Sequence, residues 1–360
     1  MAERRTSRAL VAVAALAILV LLAAVVPSPF AIERPGPVVD ALGSIDTGSG
    51  EVEVVRIAGA DTFDTEGSLN VLSVSITGTP ERPSSWLALA GALLDPTRDA
   101  VPLSELYPSG LGDEDRRAMN DAAMRGSQLA ATAAALRELG EPVAGSVRVT
   151  GIMPDGPAEG ALREGDAILA VDAEPVSSIA ELRAALADRG AGNAVAVGVE
   201  RGGETLVVEV APVASEDGAP VLGVLVADEL EFPFEVELEL DEIGGPSAGM
   251  IFALAVYDAL TPGGLTGGLD VSGTGTIDTS GAVGPIGGLP QKLWAAAEAG
   301  TDLMLMPLAN CDHLPKRLPE ELRIAPVETL GEAISAIETA AEGGSPPGLE
   351  RCEASAGSGG

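Results

Sequence analysis

Two short segments concentrate the residue types that do nucleophilic chemistry. The first, "IGGPSAGM" from Ile243 to Met250, leads two glycines and a proline into Ser247, which opens an alanine-rich apolar stretch. A serine at a helix start lies among backbone N–H groups that lack intrahelical partners. Those groups, together with the helix dipole, favour negative charge. Acyl transfer needs such donors where the tetrahedral oxyanion forms. Gly245 would support the turn, whereas Pro246 has no N–H to contribute. Alone, this segment reads more simply as an N-cap serine after a turn.

The second segment, "GAVGPIGGLPQKLWAAAEAG" from Gly281 to Gly300, places Pro290 where a helix begins and Gly300 where it stops. Lys292 then falls in the first turn. The positive end of the dipole disfavours its ammonium form, and burial would disfavour it further. A lysine so placed becomes a general base near neutral pH, which arginine cannot do. Of the 21 Lys and Arg residues only Lys292 and Lys316 are lysines, so the choice at 292 is informative. The simpler alternative is a surface helix lysine.

Other catalytic constellations are thinly represented. The one histidine, His313, sits in "NCDHLPKR". It excludes a His-rich metal site and leaves a single conceivable Ser-His-Asp triad, which the serine–lysine pairing makes unnecessary. Lys316 reads as surface. The two cysteines, Cys311 and Cys352, form no CxxC pair, so a zinc site is not indicated. Sequence alone leaves their pairing open. No metal or cofactor is expected.

A chain of 360 residues accommodates about two domains. Apolar residues make up 46% and aromatics only 2%, so the cores must be built from Ala, Val, Leu and Ile. A net charge of −33 disfavours nucleic acid as a partner.

The elements that would position these residues follow from local patterns. Ala9 to Val26 is an uninterrupted apolar run, near the lower length limit of about 18 residues for a bilayer-spanning helix. Arg4, Arg5 and Arg8 precede it. The positive-inside rule then gives a single-pass cell-membrane anchor with a cytoplasmic N-terminus and an extracytoplasmic remainder, against the competing reading of a cleaved signal peptide. Residues 1–34 form this anchor and 35–50 a linker rich in Gly and Pro. Two strands joined by a turn are expected within Glu51 to Ile76. A helix runs from about Asp113 to Leu139, closed by Gly140.

Strands follow at Ser146–Val149, Ala167–Val171, Ala194–Val199 and Thr205–Val210, with a helix at Ser178–Ala187 between them. Further strands fall at Val221–Val226 and Phe234–Leu240. Helices are expected at Ser247–Leu260, Pro290–Ala299 and Leu330–Ala341. The tail 343–360, rich in Gly, Ser and Pro, reads as disordered.

Residues 145–212 resemble bacterial PDZ domains through Gly156-Pro157-Ala158, Gly160, Leu162, Gly165-Asp166-Ala167-Ile168-Leu169, Val171-Asp172 and the closing "VERGGETLVVEV". The physical reading agrees, since a helix beside a sheet edge leaves a groove where a peptide adds as an extra strand. The resemblance implies that Ser146, Val147, Arg148 and Val149 line that groove.

The Ser247 and Lys292 segments together resemble the proteolytic domain of the Lon family, which has a Gly-Pro-Ser-Ala-Gly motif and a lysine after a Pro-Ile-Gly-Gly turn. "TGTIDTSGAVGPIGG" between them places Thr274 where the family has a threonine that positions the lysine. "GSLNVLSVSITG" (Gly67 to Gly78) and "AMRGSQLAATAAAL" (Ala123 to Leu136) resemble the family's first hairpin and first helix. The implied fold is α+β: a Lon-type proteolytic domain (51–144 and 213–342) with an inserted β-rich PDZ domain, after one N-terminal transmembrane helix.

The implied activity is an ATP-independent serine endopeptidase with a Ser-Lys dyad, acting on unfolded or membrane-associated extracytoplasmic polypeptides. The resemblance also implies a ring-like homo-oligomer, a hexamer in the family's manner. The chain departs from the family in having no Walker motif. It also carries Gly244 where many members have an acidic residue, with Glu242 as a weak substitute. The alternative is a membrane-tethered PDZ adaptor whose Lon-like domain is inactive.

Overall fold

The computed structural model describes residues 2–46, 48, 50–107, 112–215, 217–239 and 245–357. Helix α1 spans Ala2–Val25. Strands β1, Phe30–Asp40, and β2, Ser68–Thr77, are followed by a short helix at Trp86–Ala92 and by β3, Asp99–Pro102. Helix α2 covers Asp113–Glu138 and ends before Gly140, whose φ of 74° lies in the left-handed region that ends helices readily. Next come β4, Ala144–Ile152, and β5, Ala167–Val171. Helix α3, Ile179–Arg189, is capped by Ser178, whose side chain accepts from the Glu181 N–H. Strands β6, Val195–Arg201, β7, Glu204–Val210, and β8, Val224–Glu231, complete this part.

The C-terminal part begins with α4, Gly249–Leu260, which is buried around almost its whole circumference, as its all-round apolar sequence requires. Strand β9, Asp270–Gly273, leads into a small hairpin of β10, Thr276–Ile277, and β11, Val283–Gly284. Helix α5, Leu289–Glu298, strands β12, Leu303–Pro307, and β13, Ile324–Val327, and helices α6, Leu330–Ala341, and α7, Glu350–Gly357, follow. Strands β12 and β13 are buried at every position, the mark of parallel strands covered on both faces.

Two sheets organise the molecule. The first has the order β13-β12-β9-β2-β1-β3. β2, β9, β12 and β13 are mutually parallel, and β1 runs antiparallel to both β2 and β3. This sheet draws on chain from both sides of residues 144–231. The second has the order β7-β6-β5-β4-β8, with a two-residue strand at Glu174–Pro175 on β5. Each sheet has its own aliphatic core. One gathers Leu69, Val71, Ile251, Phe252, Leu254 and Leu305, and the other Val147, Val149, Ile168, Leu182, Val197 and Val199.

Several expectations need correction. Among the described residues no helix is long and apolar enough to cross a membrane. The single-pass anchor, and the extracytoplasmic placement derived from it, are therefore overturned. The chain after α1 joins the fold directly: Ser28 N–H donates to the Ser84 carbonyl at 2.7 Å, and Trp86 N–H to that of Val26 at 3.3 Å.

The first residues of the expected linker 35–50, 35–40, belong to β1, an inner strand. Its Pro35-Gly36-Pro37 sits where the β1–β2 register shifts between Pro35 and Val38, a bulge that tolerates residues without an N–H. The strands within Glu51 to Ile76 do not pair with each other: Val55–Ala58 pairs with Glu235–Leu238, whereas β2 lies in the large sheet.

The tail is ordered through α7. The disulfide Cys311–Cys352 ties it to the turn after β12. The Arg351 guanidinium donates to Glu332 at 2.8 Å and to the Pro326 carbonyl at 2.9 Å.

Candidate active site

Ser247 lies in a single 3-10 turn, Pro246–Ala248, that runs straight into α4. Gly245, at φ 99°, makes the turn into it, a conformation that side-chain-bearing residues rarely adopt. The Ser127 hydroxyl of α2 donates to the Pro246 carbonyl at 3.1 Å. Gly249 packs so closely on Ile277 that an added Cβ would lie 2.9 Å from its side chain.

Lys292 enters from the first turn of α5. Its N–H donates to the carbonyl of Gly288, the helix N-cap. Gly288 sits at φ 65°, and an added Cβ there would lie 2.5 Å from the Val74 side chain. Only glycine lets α5 start this close to β2.

Thr274 follows β9 directly and is fully buried. Its N–H donates to the Leu305 carbonyl at 3.2 Å. Strand β9, the nucleophile turn and α5 thus converge at one point. Lys292 Nζ lies 2.9 Å from Ser247 Oγ and 2.9 Å from Thr274 Oγ1. Thr274 Oγ1 donates to the Ser247 carbonyl at 3.1 Å, and Gly275 N–H donates to the same carbonyl at 2.8 Å.

Lys292 is only 3% exposed. Burial lowers its pKa from 10.5 to about 8, with the charge of Glu33 acting in the opposite direction. Glu33, on β1, was not singled out from the sequence. Its own pKa is raised, first by burial and then by Asp99, its antiparallel partner on β3, while Lys292 lowers it. The burial of Lys292 and the carboxylate it feels both come from strands distant in sequence. Only the assembled sheet shows them.

The remaining expected residues fall elsewhere. Glu242 and Gly244 lie outside the described residues. His313 is exposed at the end of the 3-10 turn after β12, and Lys316 is exposed.

The expected groove along Ser146, Val147, Arg148 and Val149 is closed. All four lie on β4 and pair with β8, Val226 opposite Val149 and Glu229 opposite Ser146. Val147 and Arg148 also pair with β5 on the other side. Val147 and Val149 are core residues. The Arg148 guanidinium is engaged by Glu229 and by the Gly165 carbonyl. A peptide cannot add to β4 without displacing β8. Among the described residues the open edges of this sheet are those of β7 and β8, and β8, where Val224, Val226 and Asp228 share one face, is the edge beside α3. The Asp228 carboxylate accepts from the Ile179 N–H at the start of α3. Strand alternation at Val221–Val226 was visible in the sequence, but its partner was not.

Comparison with known proteins bears on both parts. Residues 242–339 match the Lon protease (S16) C-terminal proteolytic domain, and residues 124–211 match a PDZ domain. The Lon protease of Rhizobium meliloti is 40% identical over 94 residues, covering 25% of this chain and 11% of that protein. Lon protease 1 of Thermus thermophilus is 41% identical over 97 residues, covering 26% of this chain and 12% of that protein. The chain thus spans only about a tenth of these relatives. Among solved structures, the PDZ domain of the SdrC-like protein from Listeria monocytogenes matches at 22% identity and a TM-score of 0.21, covering 22% of this chain and 85% of that one. The chain therefore carries a region homologous to the proteolytic domain of Lon proteases, which are serine peptidases, together with a PDZ region.

Proposed function

We propose that the chain is an ATP-independent serine endopeptidase in which Ser247 is the nucleophile, Lys292 its general base and Thr274 the residue that orients the base. The observation that carries this reading is the pair of 2.9 Å contacts from a buried, pKa-lowered Lys292 Nζ to Ser247 Oγ and Thr274 Oγ1.

Hydrogen-bond inventory assigns the direction of each contact. The single Thr274 hydroxyl proton is committed to the Ser247 carbonyl, so Thr274 Oγ1 can only accept from Lys292. A neutral Lys292 donates one N–H to Thr274, which turns its lone pair toward the Ser247 hydroxyl. As Ser247 Oγ attacks a peptide carbonyl, its proton passes to Lys292 Nζ. The resulting oxyanion is held by backbone N–H groups of the Gly245–Ala248 turn other than that of Pro246, which has none. The Lys292 ammonium then protonates the departing amine. Water, deprotonated by the again neutral Lys292, attacks the acyl carbonyl, and the Lys292 ammonium returns the proton to Ser247 Oγ as the ester bond breaks.

No Walker motif is present in the 360 residues, so unfolded or flexible polypeptides are the substrates this reading expects. They would be held in the PDZ region along the open edge of β8 beside α3, where main-chain groups can pair. Incubation of the full chain with a reduced, alkylated, unfolded protein tests the proposal. Wild type should cleave it and Ser247→Ala should not. Equal cleavage by both would remove Ser247 from the mechanism, and no cleavage by either would favour a binding role.

A further inference from the structure

The proposed chemistry uses the C-terminal part of the chain, yet one side chain of α2, a helix whose later residues already fall within the 124–211 PDZ match, ties that part to the start of α3. Arg137 stands near the end of α2. Its guanidinium donates to the Thr279 carbonyl at 2.6 Å and to Ser177 Oγ at 2.8 Å, and it pairs with Glu181 at 3.1 Å. Thr279 lies in the turn between β10 and β11, whereas Ser177 and Glu181 belong to the start of α3. Glu181 closes the arrangement by accepting from the Ser177 N–H and hydroxyl.

Beside these contacts the hairpin and α3 face each other across a gap. A cavity of about 590 Å³ separates them, with Ile179, Ala180 and Arg183 on one wall and Asp278, Thr279 and Ser280 on the other. Thr279 is buried, and its own hydroxyl has no partner. Its carbonyl contact with Arg137 ties the hairpin tip to α2, while Gly281 and Val283 tie the hairpin's other side to Leu330 and Glu328.

The hairpin continues directly from the serine centre. Thr274 and Gly275, one residue before β10, both donate to the Ser247 carbonyl, and the Gly275 carbonyl accepts from Met250 N–H at 3.1 Å. Helix α2 also reaches the nucleophile turn through Ser127, which holds Pro246. Ser127 and Arg137 are ten positions apart, or about 15 Å along a helix. One helix therefore holds the serine turn at one point and, at the other, both the hairpin and the start of α3.

We propose that Arg137 is a positioning residue for the serine centre. By holding Thr279 and the first turn of α3 together, it seats the hairpin so that Thr274 and Gly275 keep Ser247 in register with Lys292. The PDZ region thereby becomes part of the support of the active site. This inference rests on the peptidase reading for its kinetic consequence but not for its structural one.

Two measurements on the full chain test it. With a short unstructured peptide substrate, Arg137→Met should lower kcat about 10-fold or more while KM changes less than about twofold, because small displacements of reacting groups cost rate rather than binding. Its pH profile should also move, since Thr274 would no longer hold Lys292 as before. Arg137→Lys keeps the charge but cannot span three partners and should restore part of the loss. Glu181→Gln, which lies wholly in the PDZ region, should lower kcat by a smaller factor.

Hydrogen exchange of the Gly275–Ser280 amides gives a readout independent of cleavage, and Arg137→Met should accelerate it. A folded Arg137→Met protein with unchanged kcat and unchanged pH profile would overturn the proposal. If wild type proves inactive, unchanged exchange in the hairpin overturns it, whereas faster exchange sustains the latch and leaves only the peptidase reading at fault. If Arg137→Met does not fold, Glu181→Gln decides by the same two readouts.

Discussion

Thr274 Oγ1 donates its proton to the Ser247 carbonyl and at the same time lies 2.9 Å from Lys292 Nζ. One hydroxyl thus binds the backbone of the proposed nucleophile and the side chain of its proposed base. A threonine at this position sets the distance between them without taking part in the bond changes. Thr274→Val, which keeps the shape but removes the hydroxyl, should lower kcat roughly 10- to 100-fold with little change in KM, in line with the loss of a group that orients a general base. Thr274→Ser should retain most of the activity. Steady-state kinetics on a short peptide checks both, and wild-type kcat in Thr274→Val would contradict the assignment.

The pH profile follows from the depressed pKa of Lys292. In the proposed mechanism the neutral amine is the reactive form, and burial brings its pKa down to about 8. kcat/KM should therefore rise with pH as a single ionisation centred near that value and level off above it, since this profile reports the free enzyme's essential base. A profile flat between pH 6 and 9, or one falling through this range, would exclude Lys292 as the base.

Glu33 supplies a second, signed test. Its negative charge favours the Lys292 ammonium and opposes the effect of burial. Glu33→Gln should move the midpoint of the activity profile to lower pH, so that the variant is relatively more active than wild type on the acidic side. A midpoint shifted upward, or unmoved, would show that Glu33 does not act on Lys292.

The disulfide Cys311–Cys352 closes a loop of 41 positions. Cys352→Ser should cost roughly 3–4 kcal/mol of unfolding free energy on a chain-entropy basis, read as a lower denaturant midpoint. Wild type in reductant should match the variant. Because Asn310 Nδ2 donates to the Ile286 carbonyl and Ile286 N–H to Asn310 Oδ1, the turn carrying Cys311 also holds the loop before Lys292. A modest fall in activity should accompany the loss. Identical midpoints with and without reductant would show that the cross-link adds no stability.

The candidate site was legible in the sequence where its signals are local. Ser247 and Lys292 each open a helix, and glycine and proline mark both starts within a few residues. Thr274 came from its place between two motifs. What stayed hidden depends on pairing across long separations. Strand β1 carries Glu33, but Pro35-Gly36-Pro37 hides its alternation, and only its partners β2 and β3 make it an inner strand.

Strand β8 reads as a strand, yet nothing local says that it covers β4 and closes the groove expected there. Arg137 looks like one more solvated arginine on a long helix until Thr279 and Ser177 are brought to it from 142 and 40 positions away. Helix α7 lies in a stretch whose composition suggests disorder, and it is fixed by contacts of Cys352 and Arg351 that composition does not encode.

The most direct test of the account is covalent labelling of the folded full chain with a fluorophosphonate, followed by peptide mapping. The account predicts one adduct, on Ser247, forming faster as pH rises through about 8, absent in Ser247→Ala and strongly slowed in Lys292→Met. An adduct on another serine, or labelling of Lys292→Met at the wild-type rate, would contradict it.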